Sequence, residues 1–133
     1  MDQAPILAVF TAIPCNDLDQ AEAWRARPGF TRPSDQPYDG YRMLSDDTGL
    51  RVHLTDEVEE WVVPSRNPFG VYIYTPRVDA YAETMVDAII GPSRKPEHKL
   101  WGMYEIEQNG PDDLLIRMGW PIRLLVHDDV KQL

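Results

Sequence analysis

Only one cysteine, Cys15, occurs among the 133 residues, so no intrachain disulfide can form. That usage is expected of a reducing, cytoplasmic setting. Basic side chains are also scarce: 13 Lys and Arg stand against 22 Asp and Glu, a formal charge of −9. Binding through phosphates needs a basic face, so a nucleic-acid partner is not expected. No apolar run approaches the roughly 20 residues that a membrane-spanning helix needs. Met1 is followed by Asp2 and Gln3 rather than by a basic start and an apolar block, so no secretory signal is expected. Glycine-rich phosphate loops and dinucleotide fingerprints are missing too. What the chain has in quantity is proline, 12 residues of it, which disfavours a helical bundle. With 43% hydrophobic residues the length suits one domain with a core of its own.

Residues 6–13 (ILAVFTAI) read as a strand rich in β-branched side chains, stopped by Pro14. Asn16 or Asp17 offers an N-cap for a short helix whose apolar side is Leu18, Ala21, Ala23 and Trp24, and Pro28-Gly29 ends it. The turn Tyr38-Asp39-Gly40 leads into a strand near 41–45, and Asp46-Asp47-Thr48-Gly49 turns the chain into 50–55. There Leu50, Val52 and Leu54 alternate with Arg51, His53 and Thr55, the pattern of a half-buried strand. An acidic, proline-bounded loop over 56–68 marks the midpoint. A second unit follows: strand 69–75, helix 78–90, a polar loop over 91–99, and strands 100–108 and 114–120 around the turn 109–113.

The halves echo each other. Ile13…Leu18-Asp19-x-Ala21 and Ile73…Val78-Asp79-x-Tyr81 stand sixty positions apart in matching strand-to-helix contexts. The expected fold is therefore α+β: two βαβββ modules, about 6–55 and 69–120, forming a curved mixed sheet of half-barrels around a cleft. Residues 121–133 are a C-terminal tail, and the whole of 1–133 is expected to be a single domain.

Several segments resemble the vicinal oxygen chelate superfamily, which includes glyoxalase I, extradiol dioxygenases and bleomycin resistance proteins. They are Asp17-Leu18-Asp19…Trp24 with Gly29-Phe30, Asn67-Pro68-x-Gly70 with Val78-Asp79-x-Tyr81, Trp101-Gly102-Met103-x-Glu105, and Gly110-Pro111-Asp112-Asp113-Leu114-Leu115-Ile116-Arg117-Met118-Gly119. The ordered set covers roughly 6–120 and is nearest to the bleomycin resistance branch. It departs from the family pattern where Asp113 replaces the turn glycine, where Gly110 replaces the leading aspartate, and where Arg25 follows Trp24.

Metal-dependent members hold a divalent ion with His, Glu or Gln, one from each of four strands. The resemblance puts these positions at Phe10, His53, Val71 and Arg117, of which only His53 carries a suitable donor. Arg117 brings a fixed positive charge. No metal, cofactor or catalytic residue is therefore expected. Cys15 reads as a small apolar residue rather than a nucleophile. His98, His127 and the pairs Asp46-Asp47, Glu59-Glu60 and Asp128-Asp129 read as solvated surface.

If the positions that hold the ion in the resembled family face inward, strand alternation puts Phe10, Ala12, Arg51, His53, Thr55, Val71, Ile73, Thr75, Leu115 and Arg117 in the cleft, with His53 and Arg117 approaching one another. Leu50, Val52, Leu54, Ile116 and Met118 pack beneath the helices. By resemblance, Trp101 matches the tryptophan that stacks on the planar part of the drug, and Tyr38 or Tyr41 falls near the aromatic flanking it. Trp61 and Phe69 lie on the loop entering the second module. The candidate ligand-binding set is Trp101, His53, Arg117, Tyr41, Tyr38, Arg51, Phe10, Phe69 and Trp61. The acidic chain suits a cationic planar ligand, while Arg51, His53 and Arg117 suit an anionic or carbonyl-bearing one. The resemblance implies a non-catalytic, metal-free binder that sequesters an antibiotic or toxin as a homodimer. The alternatives are a glyoxalase-like or dioxygenase-like lyase or isomerase with an altered site, and a ligand-sensing or structural protein.

Overall fold

A computed structural model describes residues 10–33, 36, 38–56 and 60–125. The elements run in the order β1 (Ala12–Cys15), α1 (Leu18–Ala26), β2 (Tyr41–Ser45), β3 (Arg51–Asp56), β4 (Gly70–Tyr74), α2 (Val78–Thr84), β5 (Glu97–His98), β6 (Met103–Asn109) and β7 (Leu115–Pro121). They form two mixed sheets, ordered β1-β3-β2 and β4-β7-β6-β5, neither closed into a barrel. In each sheet the first strand runs parallel to the last strand of its half: Ala12 pairs with His53 and Tyr72 with Arg117. The expected βαβββ order is therefore present twice. In the first half the strand after the helix is reduced to a single bridge, Thr31 to Ser45.

Asp17 caps α1, its carboxylate accepting from the Gln20 amide at 3.0 Å, and Gly29 takes the left-handed φ of 114° that turns the chain out of the helix. The strands β2 and β3 fall where the alternation placed them. Buried Leu44, Val52 and Leu54 lie against α1, and Ile106, Ile116 and Met118 against α2. One buried cluster draws on both halves, joining Phe30, Leu54, Tyr81 and Ile116. Each such side chain contributes roughly 1.5–3 kcal/mol, more than the exposed Arg27–Asp87 and Arg77–Asp47 pairs that also link the halves. Directional links are the Tyr81 hydroxyl donating to Asp46 at 3.0 Å and Asn16 donating twice to the Asp112 carboxylate.

Several expectations need correction. Pro14 does not stop β1 but lies within it, opposite Thr55; β1 is the edge of its sheet, where a missing N–H is tolerated. Residues 6–9 of the expected strand lie outside the described residues. Ala23 faces solvent, and Arg25 is the buried residue on that helix beside Ala21. The Arg25 guanidinium lies 5.5 Å from the Trp24 ring centroid, and burial pulls its pKa down to about 10. The helix at 78–90 ends at Thr84 and continues as one 3-10 turn, Val86–Ala88. The loop at 91–99 contains β5, and the strand expected from residue 100 begins at Met103 because Lys99–Gly102 closes a turn. Asp46 is more than solvated surface: it accepts from the Thr48 and Leu50 amides and from Tyr81. His127, Glu59, Asp128 and Asp129 lie outside the described residues.

Candidate functional site

Each sheet buries one face beneath a helix and leaves the other open. On the first sheet the open face carries Phe10, Tyr41, Met43, Arg51 and His53. The Phe10 ring stacks on His53, centroids 5.1 Å apart and planes 16° from parallel. The Tyr41 hydroxyl and His53 Nδ1 are 2.9 Å apart, and among the described residues Nε2 has no hydrogen-bond partner. Desolvation, then the charge of Arg51, hold the imidazole below its ordinary pKa. Tyr38 lies at the margin, its ring exposed and its hydroxyl donating to Asp56 at 3.2 Å.

On the second sheet the face-by-face assignment of β4 is reversed. Ile73 and Thr75 are buried on the helix side, while Tyr72 and Tyr74 stand on the open face with their rings 5.2 Å apart. The stretch Gly-Val-Tyr-Ile-Tyr is apolar on both sides, so period-two reading cannot choose between them. Tyr72 reaches over β7 to β6, where its hydroxyl donates to Glu105 Oε1 at 2.7 Å. The Trp101 indole N–H donates to that same oxygen at 3.2 Å from the turn before β6. Arg117 approaches the other oxygen, Oε2, at 3.7 Å. Glu105 is only 1% exposed, whereas Trp101 is 58% exposed, its ring lying free with Lys99 Nζ 5.8 Å from the centroid. Burial, then the bond to Glu105, push the Tyr72 phenol well above its usual range.

Two groupings thus emerge from the expected site residues. Phe10, His53, Tyr41 and Arg51 share the first face, and Trp101 and Arg117 share the second. Among the described residues no contact joins His53 to Arg117; Arg117 is turned to Glu105 instead. Trp61, at 74% exposure, and Phe69 lie outside both groups. Between the sheets, Phe10, Arg51, Val71 and Tyr72 help to line a cavity of about 150 Å³, well below the roughly 300–1,000 Å³ of a site for a drug-sized ligand. Sequence reasoning missed Tyr72, Tyr74 and Glu105. The available signal was Glu105 itself, a carboxylate four residues after Trp101, between the apolar Tyr104 and Ile106. The buried Cys15 thiol is pushed up to about 11 by desolvation and then by Asp112, a poor setting for a nucleophile.

No family model matches the chain, and no curated protein matches it. Solved structures do. A bleomycin-binding protein complexed with bleomycin superimposes with a TM-score of 0.67 at 20% identity, over 90% of this chain and 98% of that one. An antibiotic-binding protein, TnmS3 from Streptomyces sp. CB03234, gives 0.63 at 20% identity over 90% and 99%. A lactoylglutathione lyase from Agrobacterium tumefaciens gives 0.60 at 17% identity over 91% and 98%. The fold is the glyoxalase/bleomycin resistance fold. Proteins of this fold that hold a divalent ion need convergent donors, and the residues here do not fit one. Among the described residues no group of three or more His, Cys, Asp or Glu converges. Phe10 and Val71 offer no donor, one His53 nitrogen is engaged by Tyr41, and Arg117 adds positive charge. Among the described residues no helix is long and apolar enough to cross a membrane.

Proposed function

We propose that the chain is a non-catalytic binder of planar small molecules of the antibiotic class, protecting by sequestration in a metal-free cleft. The observation that carries this reading is the exposed Trp101 ring, held by a hydrogen bond beside Tyr72 and Tyr74 on an otherwise polar face. Such a wall gives a planar ligand a stacking surface worth roughly 0.5–1.5 kcal/mol per ring beyond simple burial. Arg117 no longer argues for an anionic ligand, because Glu105 faces its charge. The similarity to a bleomycin-binding and an antibiotic-binding protein supports the same ligand class.

The cavity of about 150 Å³ between the sheets is too small for such a ligand, so the cleft is completed by a second copy. Met43, Tyr72, Tyr74 and Trp101 leave apolar surface on the open faces that a symmetric homodimer would cover. The protein acts in the cytoplasm, as the lone buried Cys15 suits. A thermal-shift screen against planar antibiotics, including metal-free and copper-loaded bleomycin, tests the reading. A ligand of the folded state raises the melting temperature by mass action. The second reading, a lyase or isomerase with an altered site, is favoured by His53, a neutral imidazole oriented by Tyr41 with Nε2 free to act as a base. Turnover of a carbonyl substrate that is lost in His53→Gln would replace the first reading with the second.

A further inference from the structure

We infer that Glu105 is the positioning residue of the aromatic wall, fixing Trp101 and Tyr72 relative to each other through a single carboxylate oxygen. The inference rests on the reading of that wall as the ligand surface. The two rings come from separate places: Tyr72 from β4, and Trp101 from the turn before β6, with β7 lying between those strands. Nothing in the strand pairing links them. Glu105 Oε1 does, accepting the Tyr72 hydroxyl at 2.7 Å and the Trp101 indole N–H at 3.2 Å. A carboxylate suits this task because both partners are donors and it offers only acceptors.

The cost of the arrangement shows that the sheet is built around it. Glu105 is buried, and its second oxygen has no hydrogen-bond partner among the described residues, with Arg117 3.7 Å away as the facing charge. A buried acceptor left in that condition is destabilising, and an apolar side chain would sit there at lower cost. Room for the Tyr72 hydroxyl comes from Gly119, which is paired with Glu105 across the strands; a β-carbon there would overlap the hydroxyl. Glycine at 119 and glutamate at 105 thus serve one geometry. Exposed rings otherwise turn freely about χ1 and χ2, and a ligand would have to order them. A wall held in advance avoids that loss.

The test uses the full chain labelled with 15N, with the Trp101 indole resonance identified by Trp101→Phe. Glu105→Ala is expected to move that resonance and to speed its exchange with solvent by about tenfold, the loss of one hydrogen bond. Glu105→Gln is expected to restore both, since its side-chain carbonyl accepts the same donors. An unchanged Trp101 signal in folded Glu105→Ala overturns the inference. If that variant does not fold, Tyr72→Phe decides: removing the competing donor must shift the Trp101 signal through the shared oxygen, and no shift overturns the inference. Metal-free bleomycin serves as the binding probe. Glu105→Ala should weaken its binding about tenfold in the wild-type background and clearly less in Trp101→Ala, where only Tyr72 is left for it to position, the pattern of a residue acting through another. Equal weakening in both backgrounds overturns the inference. Failure of bleomycin to bind the wild type counts against the proposed ligand class alone, because the indole signal still decides the role of Glu105.

Discussion

The Tyr72 hydroxyl occupies the space that a β-carbon at position 119 would take, so its bond to Glu105 depends on glycine across the sheet. Gly119→Ala should therefore eject Tyr72 while leaving a folded protein. The mobile end of one side chain yields first, but the Tyr104 carbonyl and the Glu105 β-carbon also lie close, 3.0 and 3.2 Å from the added carbon. A stability loss of about 1–3 kcal/mol is expected from such overpacking. The specific sign is that the Tyr72 phenol, raised by burial and by Glu105, returns toward the ordinary tyrosine range in an ultraviolet pH titration.

Trp101→Ala should weaken binding of a planar ligand ten- to a hundredfold, the result of losing roughly 1–3 kcal/mol of stacking and burial. Its effect on folding should stay below the roughly 3–5 kcal/mol of a core tryptophan, since the ring is largely exposed. Denaturant melts and ligand titrations on one variant measure both. A severe stability loss with intact binding would return Trp101 to a packing role.

His53 gives the protein a pH response of known sign. Its folded pKa lies below the ordinary histidine value of about 6.5, through desolvation first and Arg51 second. Below about pH 6.5 the unfolded chain therefore takes up a proton that the folded chain resists. The stability associated with His53 is full above that pH and falls as the pH drops through it. Melting temperatures at pH 7.5 and 5.5 should differ less in His53→Gln than in the wild type. An equal difference in both would show that the ring titrates alike in the two states.

Light scattering should give twice the chain mass at micromolar concentrations if a second copy covers the open aromatic faces as proposed. A monomer throughout would leave Tyr74 and Met43 as unexplained exposed surface.

The sequence showed most of the architecture, for reasons that particular residues make plain. Strand β3 alternates cleanly between Val52, Leu54 and Arg51, His53, and Asp17 is an N-cap followed at once by helix, so both were legible. Strand β4 was located but its faces were exchanged, because Tyr72 and Ile73 are both apolar enough for either side. What decides is α2, which packs on the Ile73 side, and that is a tertiary fact. Arg25 was unreadable for a related reason: charge argues for exposure, while the buried guanidinium lies against the neighbouring Trp24 ring. Glu105 looked like the polar residue of a strand until the pairing register set Gly119 beside it and Tyr72 above it.

The most direct test of a metal-free binding cleft is a tryptophan-fluorescence titration of the wild-type protein with planar antibiotics, metal-free bleomycin among them, with EDTA present throughout. The account predicts saturable quenching by at least one of them, unchanged by the chelator and, in Trp101→Ala, reduced in amplitude and shifted to ten- to a hundredfold higher ligand concentration. Quenching that appears only when a divalent metal is restored, or that persists unaltered without Trp101, would contradict it.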